Sequence, residues 1–567
     1  MHPALSSTLH QMTTTFTADQ PSGIYATLAG AIILGLIYHL LTGDHRPYPG
    51  IPIVSLEPPR GFKSWLLPAK PEYPIYGSRL VEKGKQLTSG CFQIRAGAGW
   101  KIIVPNHFVQ EIGSIPQLSF AATGQQDFHT SLPGFEGVKE AFREDALMVD
   151  VVRNRLTQNL GLVTEVIVEE TPLALQQILG DQEGEKAILI KEVLLDIVAW
   201  VATRVFAGEE LARDENWRRA SKQYTVLVFL NAHMLRRYPA FLRPLVNRFL
   251  PSCREMRKRL AEGRTLVERQ LNDRLQQREQ NQIDNIKSID IFHWMMDVAK
   301  GRPLDFTGSQ LQLCAVAINT TAELTVRCIL QLCDSPDILP ALREEMITVL
   351  KEHGWTNASL HKMKLLDSFI KETQRMDSMT GSKYKVEPSR NESPLTTRIA
   401  TMARVAKQKV TLSDGTVFPA GSSILVMNDQ LHDPNIYPEP DNFDPYRYLR
   451  LRAQPGEENK HLFATALPTN LVWGYGLHAC SGKWQWISQA FAMCMTNPYI
   501  LLGRFFASNL MKVILCHLLL KYDIVHEPGT PRFPRVEREN IVIVDPRHRV
   551  RITRRKEELD LQNLKVA

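Results

Sequence analysis

The chain has 567 residues, 44% of them hydrophobic and 22% charged, with a formal net charge of +7. That length buries one large core or two, and the ordinary balance of apolar and charged residues excludes a disordered or fibrous chain. Eight cysteines without paired spacing exclude a disulfide framework and suit a reducing compartment. The positive charge comes without a basic-aromatic patch, so nucleic acid is not the expected partner. A membrane surface, an acidic redox partner or a plain solvated surface accounts for it.

In chain order, residues 1–22 contain no Lys or Arg, and Ile24 to Leu41 form an 18-residue run without a charged side chain. As a helix that run spans about 27 Å, enough for a bilayer. Arg46, Arg60 and Lys63 follow, so the positive-inside rule gives a luminal tail at 1–23, a single anchor at 24–41 and a cytosolic body. A cleaved signal peptide is the alternative, although the basic n-region is missing. Pro47, Pro49, Pro52, Pro58 and Pro59 predict a stiff hinge over 42–60. The body, 61–548, reads as mostly helical. Amphipathic patterns predict helices over 186–207, 253–280 and 337–352. Strands are expected at Phe92–Ile94, Lys101–Val104, Arg404–Leu412 and Ser422–Val426, with an Asp414-Gly415 hairpin signal. Arg549 to Ala567 is expected to be a charged, peripheral tail.

Thr307 to Cys333 is apolar nearly all round, which predicts a buried helix of about 40 Å. Inside it lies Ala317-Ile318-Asn319-Thr320-Thr321. A mid-helix Thr ordinarily bonds back to the i−4 carbonyl. Farther on, Glu372-Thr373-Gln374-Arg375 places opposite charges three apart on one helix face, a pairing usually found on solvated surfaces. Phe443-Asp444-Pro445-Tyr446-Arg447-Tyr448 follows, and then Trp473-Gly474-Tyr475-Gly476-Leu477-His478-Ala479-Cys480-Ser481-Gly482. This last stretch is a glycine-punctuated loop ending in a cysteine. Glycines allow the tight turns that bring backbone N–H donors to a thiolate, and a helix beginning just after it would stabilise the charge. A thiolate so held can ligate haem iron.

Taken together and in this order, these motifs resemble those of the cytochrome P450 family, in the form found in membrane-anchored fungal haem-thiolate monooxygenases. The resemblance implies a mainly α fold with a small β region, preceded here by one transmembrane helix. It implies haem b with Cys480 as the axial metal ligand, and His478, Trp473 and Gly476 in the loop around it. Glu372, Arg375 and Arg447 would form a buried triad beneath the haem. Thr320, with Asn319 where the family usually has an acid, would order a water during dioxygen activation. Trp473, Leu477 and Ser481 depart from the usual Phe, Arg and Pro. The implied partners are O2, an apolar small molecule, NADPH-cytochrome P450 reductase and, as a second donor, cytochrome b5. The implied location is the endoplasmic reticulum membrane, with the catalytic domain facing the cytosol. A terpenoid or meroterpenoid of secondary metabolism is the expected substrate. The alternatives are a haem-binding but catalytically impaired chain and a membrane-anchored binding protein without haem.

Two stretches break the family spacing. The Arg504-Phe505-Phe506-Ala507 block expected directly after the cysteine loop is delayed by the 21 residues Lys483 to Gly503. The Met402-Ala403-Arg404 strand begins 27 residues after Arg375, far beyond the family distance, with the excess inside 382–400. Gly482-Lys483-Trp484 and Ser382-Lys383-Tyr384 can each be encoded with the splice donor GTAAGT. Thr496-Asn497 and Leu395-Thr396 can each encode the branch sequence CTAAC, and Leu502-Gly503 and Ile399-Ala400 can each supply a terminal TAG. Both stretches therefore read as translated introns, the alternative being two surface insertions.

Overall fold

The computed structural model describes residues 27–35, 37, 46–56, 73–96, 99–156, 158–180, 184–279, 291–378, 381–382, 400–479, 503–530, 535–538 and 541–564. The helices that build the site are α1 (Tyr73–Leu87), α2 (Val109–Ser114), α3 (Leu160–Leu179), α4 (Ile190–Ala207), α5 (Glu215–Arg236), α6 (Pro251–Glu279), α7 (Phe306–Asp334), α8 (Leu339–His353), α9 (Lys364–Met376), α10 (Arg447–Arg452) and α11 (Gly503–Lys521). The strands are β1 (Phe92–Ala96), β2 (Gly99–Val104), β3 (Leu118–Ser119), β4 (Glu185–Leu189), β5 (Ala400–Ala406), β6 (Ser423–Met427), β7 (Tyr522–His526) and β8 (Arg549–Arg554).

α7 is the axis of the molecule. Asp305 caps it, accepting from Gly308 N–H at 3.0 Å, and its apolar circumference lets it pack on α4, α5, α6, α9 and α11 at once. α7 and α11 are both long and apolar enough to cross a membrane, but both are largely buried in the protein, as core helices are. Two small sheets flank this bundle. One has the order β1-β2-β6-β5-β3, mixed because β6 runs parallel to β2 and antiparallel to β5. The other has the order β7-β8-β4. The chain is thus mainly helical with a small β component.

Several expectations need correction. The pattern over 186–207 begins as strand β4, and the helix starts only at Ile190. Residues 404–412 do not form one strand: β5 stops at Ala406, and Val410–Thr411 pairs with Val417–Phe418 around the expected Asp414-Gly415 turn. The proline-rich segment is no free hinge between 46 and 56. Pro52 and Val54 exchange backbone hydrogen bonds with Gln93, and Ile51 and Val54 are buried. Alternate apolar residues between the prolines add that segment to the sheet edge. Nor is 549–567 peripheral throughout, because β8 is the centre of its sheet and Leu561 is buried, its carbonyl accepting from Trp355 Nε1. Its charges flank apolar residues that alternate at strand spacing. Of the proposed anchor, residues 27–35 and 37 are described; they are helical, with Leu28, Ile32, Ile33, Leu34 and Ile37 exposed.

Candidate active site

The site is built on α9, whose residues from Leu365 to Met376 are all buried, the charged ones included. Burying charge is costly unless each group finds a partner, and here the partners are present. Glu372 accepts from Arg375 Nε and Nη2, at 2.8 and 2.7 Å, and from Arg447 Nε at 3.0 Å. Arg375 spends its remaining arm on the carbonyls of Leu431 and Pro440, and Arg447 donates to those of Pro438, Glu439 and Asn442. Two guanidiniums and one carboxylate therefore fix the irregular 431–447 segment to α9. The expected meeting of Glu372, Arg375 and Arg447 is present in the geometry.

Beyond that segment runs the loop from Trp473 to Ala479. Trp473 Nε1 donates to Phe463 O at 2.9 Å, and the two rings stand edge to face at 5.4 Å. Gly474 and Gly476 adopt φ of 69° and 72°, conformations that disfavour any residue with a Cβ. Gly476 has a second constraint: a Cβ there would lie 2.3 Å from Gly113 O, so α2 and the loop touch backbone to backbone. Gly476–His478 forms one 3₁₀ turn ahead of buried Ala479. The side chain of His478 and all of Cys480 lie outside the described residues.

Opposite the order of α9 is a gap in the burial of α7. The helix is buried from Thr307 to Leu311 and again from Thr321 to Leu332, yet between them Val316 is 54% exposed and Thr320 is also exposed. This patch in the middle of a core helix faces open space. Thr320 Oγ1 donates to Val316 O at 2.7 Å, the local back-bond that Thr164, Thr171, Thr225, Thr325 and Thr373 also make. Its lone pairs stay available. Asn319 Nδ2 is 3.5 Å from Ala315 O, too long for a strong bond, so its amide is nearly uncommitted.

Arg404, on β5, completes the site. It is 2% exposed, donates to Ala403 O at 2.7 Å and to Tyr475 O in the cysteine loop at 3.3 Å, and has no carboxylate partner among the described residues. Among the described residues its Nε has no hydrogen-bond partner. Burial lowers its pKa to about 10. A buried guanidinium that touches the loop and has no anion among the described residues fits a ligand that brings its own carboxylate.

Comparison with known proteins accounts for this arrangement. The cytochrome P450 family model matches residues 109–387 and 395–492. The chain belongs to the cytochrome P450 family. It is 35% identical over 543 residues to cytochrome P450 monooxygenase bsc11 of Alternaria brassicicola, covering 94% of this chain and 95% of that one. It is 32% identical to the monooxygenase adrA of Penicillium rubens, over 94% and 97% of the two chains. It is 34% identical to trt6 of Aspergillus terreus, over 88% and 93%. This P450 is therefore a monooxygenase, an oxidoreductase that uses O2, an organic substrate and electrons from a redox partner, and its family's cofactor is cysteine-ligated haem. Haem carries two propionates, the kind of anion Arg404 lacks, so the residues present fit the cofactor.

Sequence reasoning missed Arg404 as a site residue and missed Gly113 altogether. Arg404 could have been singled out as a cation in an otherwise apolar stretch of a sheet strand. Gly113 left no signal, since its importance comes from a contact across more than 360 positions.

Proposed function

We propose that Cys480 is the axial ligand of haem b and that this P450 hydroxylates or further oxidises an apolar terpenoid or meroterpenoid. The single observation that carries the haem reading is Arg404, buried against the loop that leads to Cys480 with no anion among the described residues. When bound, thiolate-ligated haem activates dioxygen so that one oxygen atom enters the substrate and the other leaves as water, consuming two electrons and two protons. Arg404 would hold a haem carboxylate, with His478 as a second candidate. Trp473 and Gly476 shape the loop, and Glu372, Arg375 and Arg447 keep the 431–447 segment rigid beneath it. Thr320 exchanges its back-bond for a water, and Asn319, which orients water but carries no proton to give, helps place that water for proton delivery. Exposed Val316 on the open face of α7 favours an apolar substrate, and the fungal relatives favour secondary metabolism.

Electrons would come from NADPH-cytochrome P450 reductase, with cytochrome b5 as a second donor. The body would lie on the cytosolic face of the endoplasmic reticulum, anchored through 24–41. A surface feature supports this placement. Val226, Phe229, Leu230, Phe241, Leu245 and Phe249 are exposed within a stretch that contains four arginines and no acidic residue. Gly35 of the apolar N-terminal helix lies against the Phe241 ring. The combination suits an anionic lipid surface.

The stretches 382–400 and 483–503 remain, in this reading, translated introns. The family match skips 388–394 and ends at 492, inside each of them. One experiment tests the haem and intron readings: reduced carbon-monoxide spectra of the chain with and without these stretches. A band at about 450 nm reports an intact thiolate ligand, and Cys480→Ala must abolish it. A band at about 420 nm from the full chain, moving to 450 nm once both stretches are removed, is the expected result. A chain without any Soret band in either form would refute the haem reading.

A further inference from the structure

Two neighbouring peptide groups, at Leu462 and Phe463, are gripped by three side chains. Phe463 N–H donates to Asp367 Oδ2 at 2.8 Å. Phe463 C=O accepts from Trp473 Nε1 at 2.9 Å, and Leu462 C=O accepts from Lys371 Nζ at 2.7 Å. Asp367 and Lys371 are i and i+4 on α9, so one helix face supplies both. Asp367, Lys371 and Phe463 are all buried. The other carboxylate oxygen of Asp367 accepts from Lys512 Nζ at 2.7 Å, and Lys512 belongs to α11. Chain order gives this its meaning. Trp473 precedes the cysteine by seven positions, and α11 follows it. Both flanks of Cys480 are thus tied to a single carboxylate, on the same helix that carries Glu372 and Arg375.

We propose that Asp367, Lys371 and Trp473 form a clamp on the Leu462–Phe463 peptides that holds the cysteine loop in register with α9, with Asp367 as its hub. They are positioning residues. The indole N–H explains the departure at 473: the family's usual Phe would preserve the edge-to-face ring contact but could not donate to Phe463 O. This chain therefore uses one more hydrogen bond than the common pattern to set the loop. The inference rests on the reading of Cys480 as the haem ligand only for its spectroscopic consequence; the clamp itself is a statement about the protein.

The test is a double-mutant cycle with Trp473→Phe and Asp367→Asn, built in the full chain for unfolding and in the chain without 382–400 and 483–503 for the spectra, because the full chain is expected to give only the damaged form. Two quantities are read: the unfolding midpoint, and the ratio of the 420 nm to the 450 nm form in the reduced carbon-monoxide spectrum, both wavelengths being about those values for damaged and intact thiolate ligation. Trp473→Phe is expected to lower the midpoint and raise the ratio at least two-fold. Because both side chains act through the backbone of one residue, Phe463, the double variant is expected to add little to the larger single effect. Lys371→Met takes the place of Asp367→Asn in the cycle if the latter gives no folded protein. Additive effects, or a Trp473→Phe chain with unchanged midpoint and ratio, would overturn the clamp. If the unmutated chain shows no Soret band, the haem reading fails, and non-additivity of the midpoints still decides for or against the clamp.

Discussion

The two sides of the candidate site are built on opposite terms. Beneath the cysteine loop, α9 and its neighbours pack charge densely and leave little of it unmatched. Glu372 alone accepts from two arginines, and Asp367 from Lys512 and a backbone N–H. On the other side, α7 opens a patch around Val316 and Thr320, and Arg404 stays buried with an unsatisfied Nε. A region that completes itself holds a shape without help. A region with unsatisfied polar atoms and open apolar surface is arranged for something else to complete it. The contrast in charge pairing sets Arg404 apart from the paired charges of α9.

The largest expected effect comes from breaking the completed side. Glu372→Gln leaves Arg375 and Arg447 buried without an anion, and breaking a buried pair in this way costs about 3–5 kcal/mol. Thermal unfolding should show that loss, and haem content of the purified protein should fall with it. A Glu372→Gln chain as stable as the parent would mean that the 431–447 carbonyls alone satisfy both arginines.

How much of this could be read from the sequence follows the same division. The length of α7 and the positions of β1, β2 and β6 were legible because they rest on periodicity, and the motifs were legible through their resemblance to a known family. The burial of the rest of α9 was not, and only the family resemblance put Glu372 and Arg375 in the interior. A helix with Asp367, Lys371, Glu372 and Arg375 on it reads as having a solvated polar face, and only partners from α10, α11 and the 431–463 loops make that face an interior. The same blindness hid β8 and Leu561 behind a charged composition, and hid the docking of 46–56 behind its prolines. Arg404 escaped for a different reason: an unpaired buried cation cannot be known as unpaired until its surroundings are placed.

An exception within the packed side sharpens the comparison. His517 on α11 is fully buried and stacks on Trp355 at 5.4 Å with the rings 14° from parallel; among the described residues neither ring nitrogen has a hydrogen-bond partner. Burial, assisted by the charge of Lys521, lowers its pKa to about 3. The unfolded chain, with an ordinary imidazole, therefore binds the proton more readily than the folded one. This contribution to stability is intact above about pH 6.5 and is lost as the pH falls toward 3, amounting to about 2 kcal/mol between pH 7 and pH 5. His517→Phe keeps the stacking and removes the titration. Denaturant unfolding at the two pH values should show a smaller difference for the variant, and an unchanged difference would place the acid sensitivity in other groups.

On the open side the sign reverses. Arg404→Leu removes a buried, anion-less cation, so the haem-free chain should become more stable by about 1–2 kcal/mol. Haem retention should move the other way, with faster transfer of haem to an acceptor protein. A variant that loses stability as well would show that Arg404 is scaffold, held by Tyr475 and Ala403 rather than awaiting a carboxylate.

The smallest stability change is expected at Thr320. Thr320→Val keeps the branched shape and loses one exposed hydroxyl whose back-bond to Val316 O competes with solvent, so the unfolding free energy should change by no more than about 1 kcal/mol. Its chemical effect should be far out of proportion to that. If the exposed hydroxyl places a water for proton delivery, NADPH and O2 consumption should continue while product per NADPH falls severalfold and hydrogen peroxide rises. Asn319→Asp restores a group that can exchange a proton at the neighbouring position and should recover part of the lost coupling in the double variant. Unchanged coupling in Thr320→Val would reduce Thr320 to another back-bonded helical threonine, like Thr325 on the buried side of the same helix. The patch on α7 would then be a shape for substrate rather than a place where protons are handled.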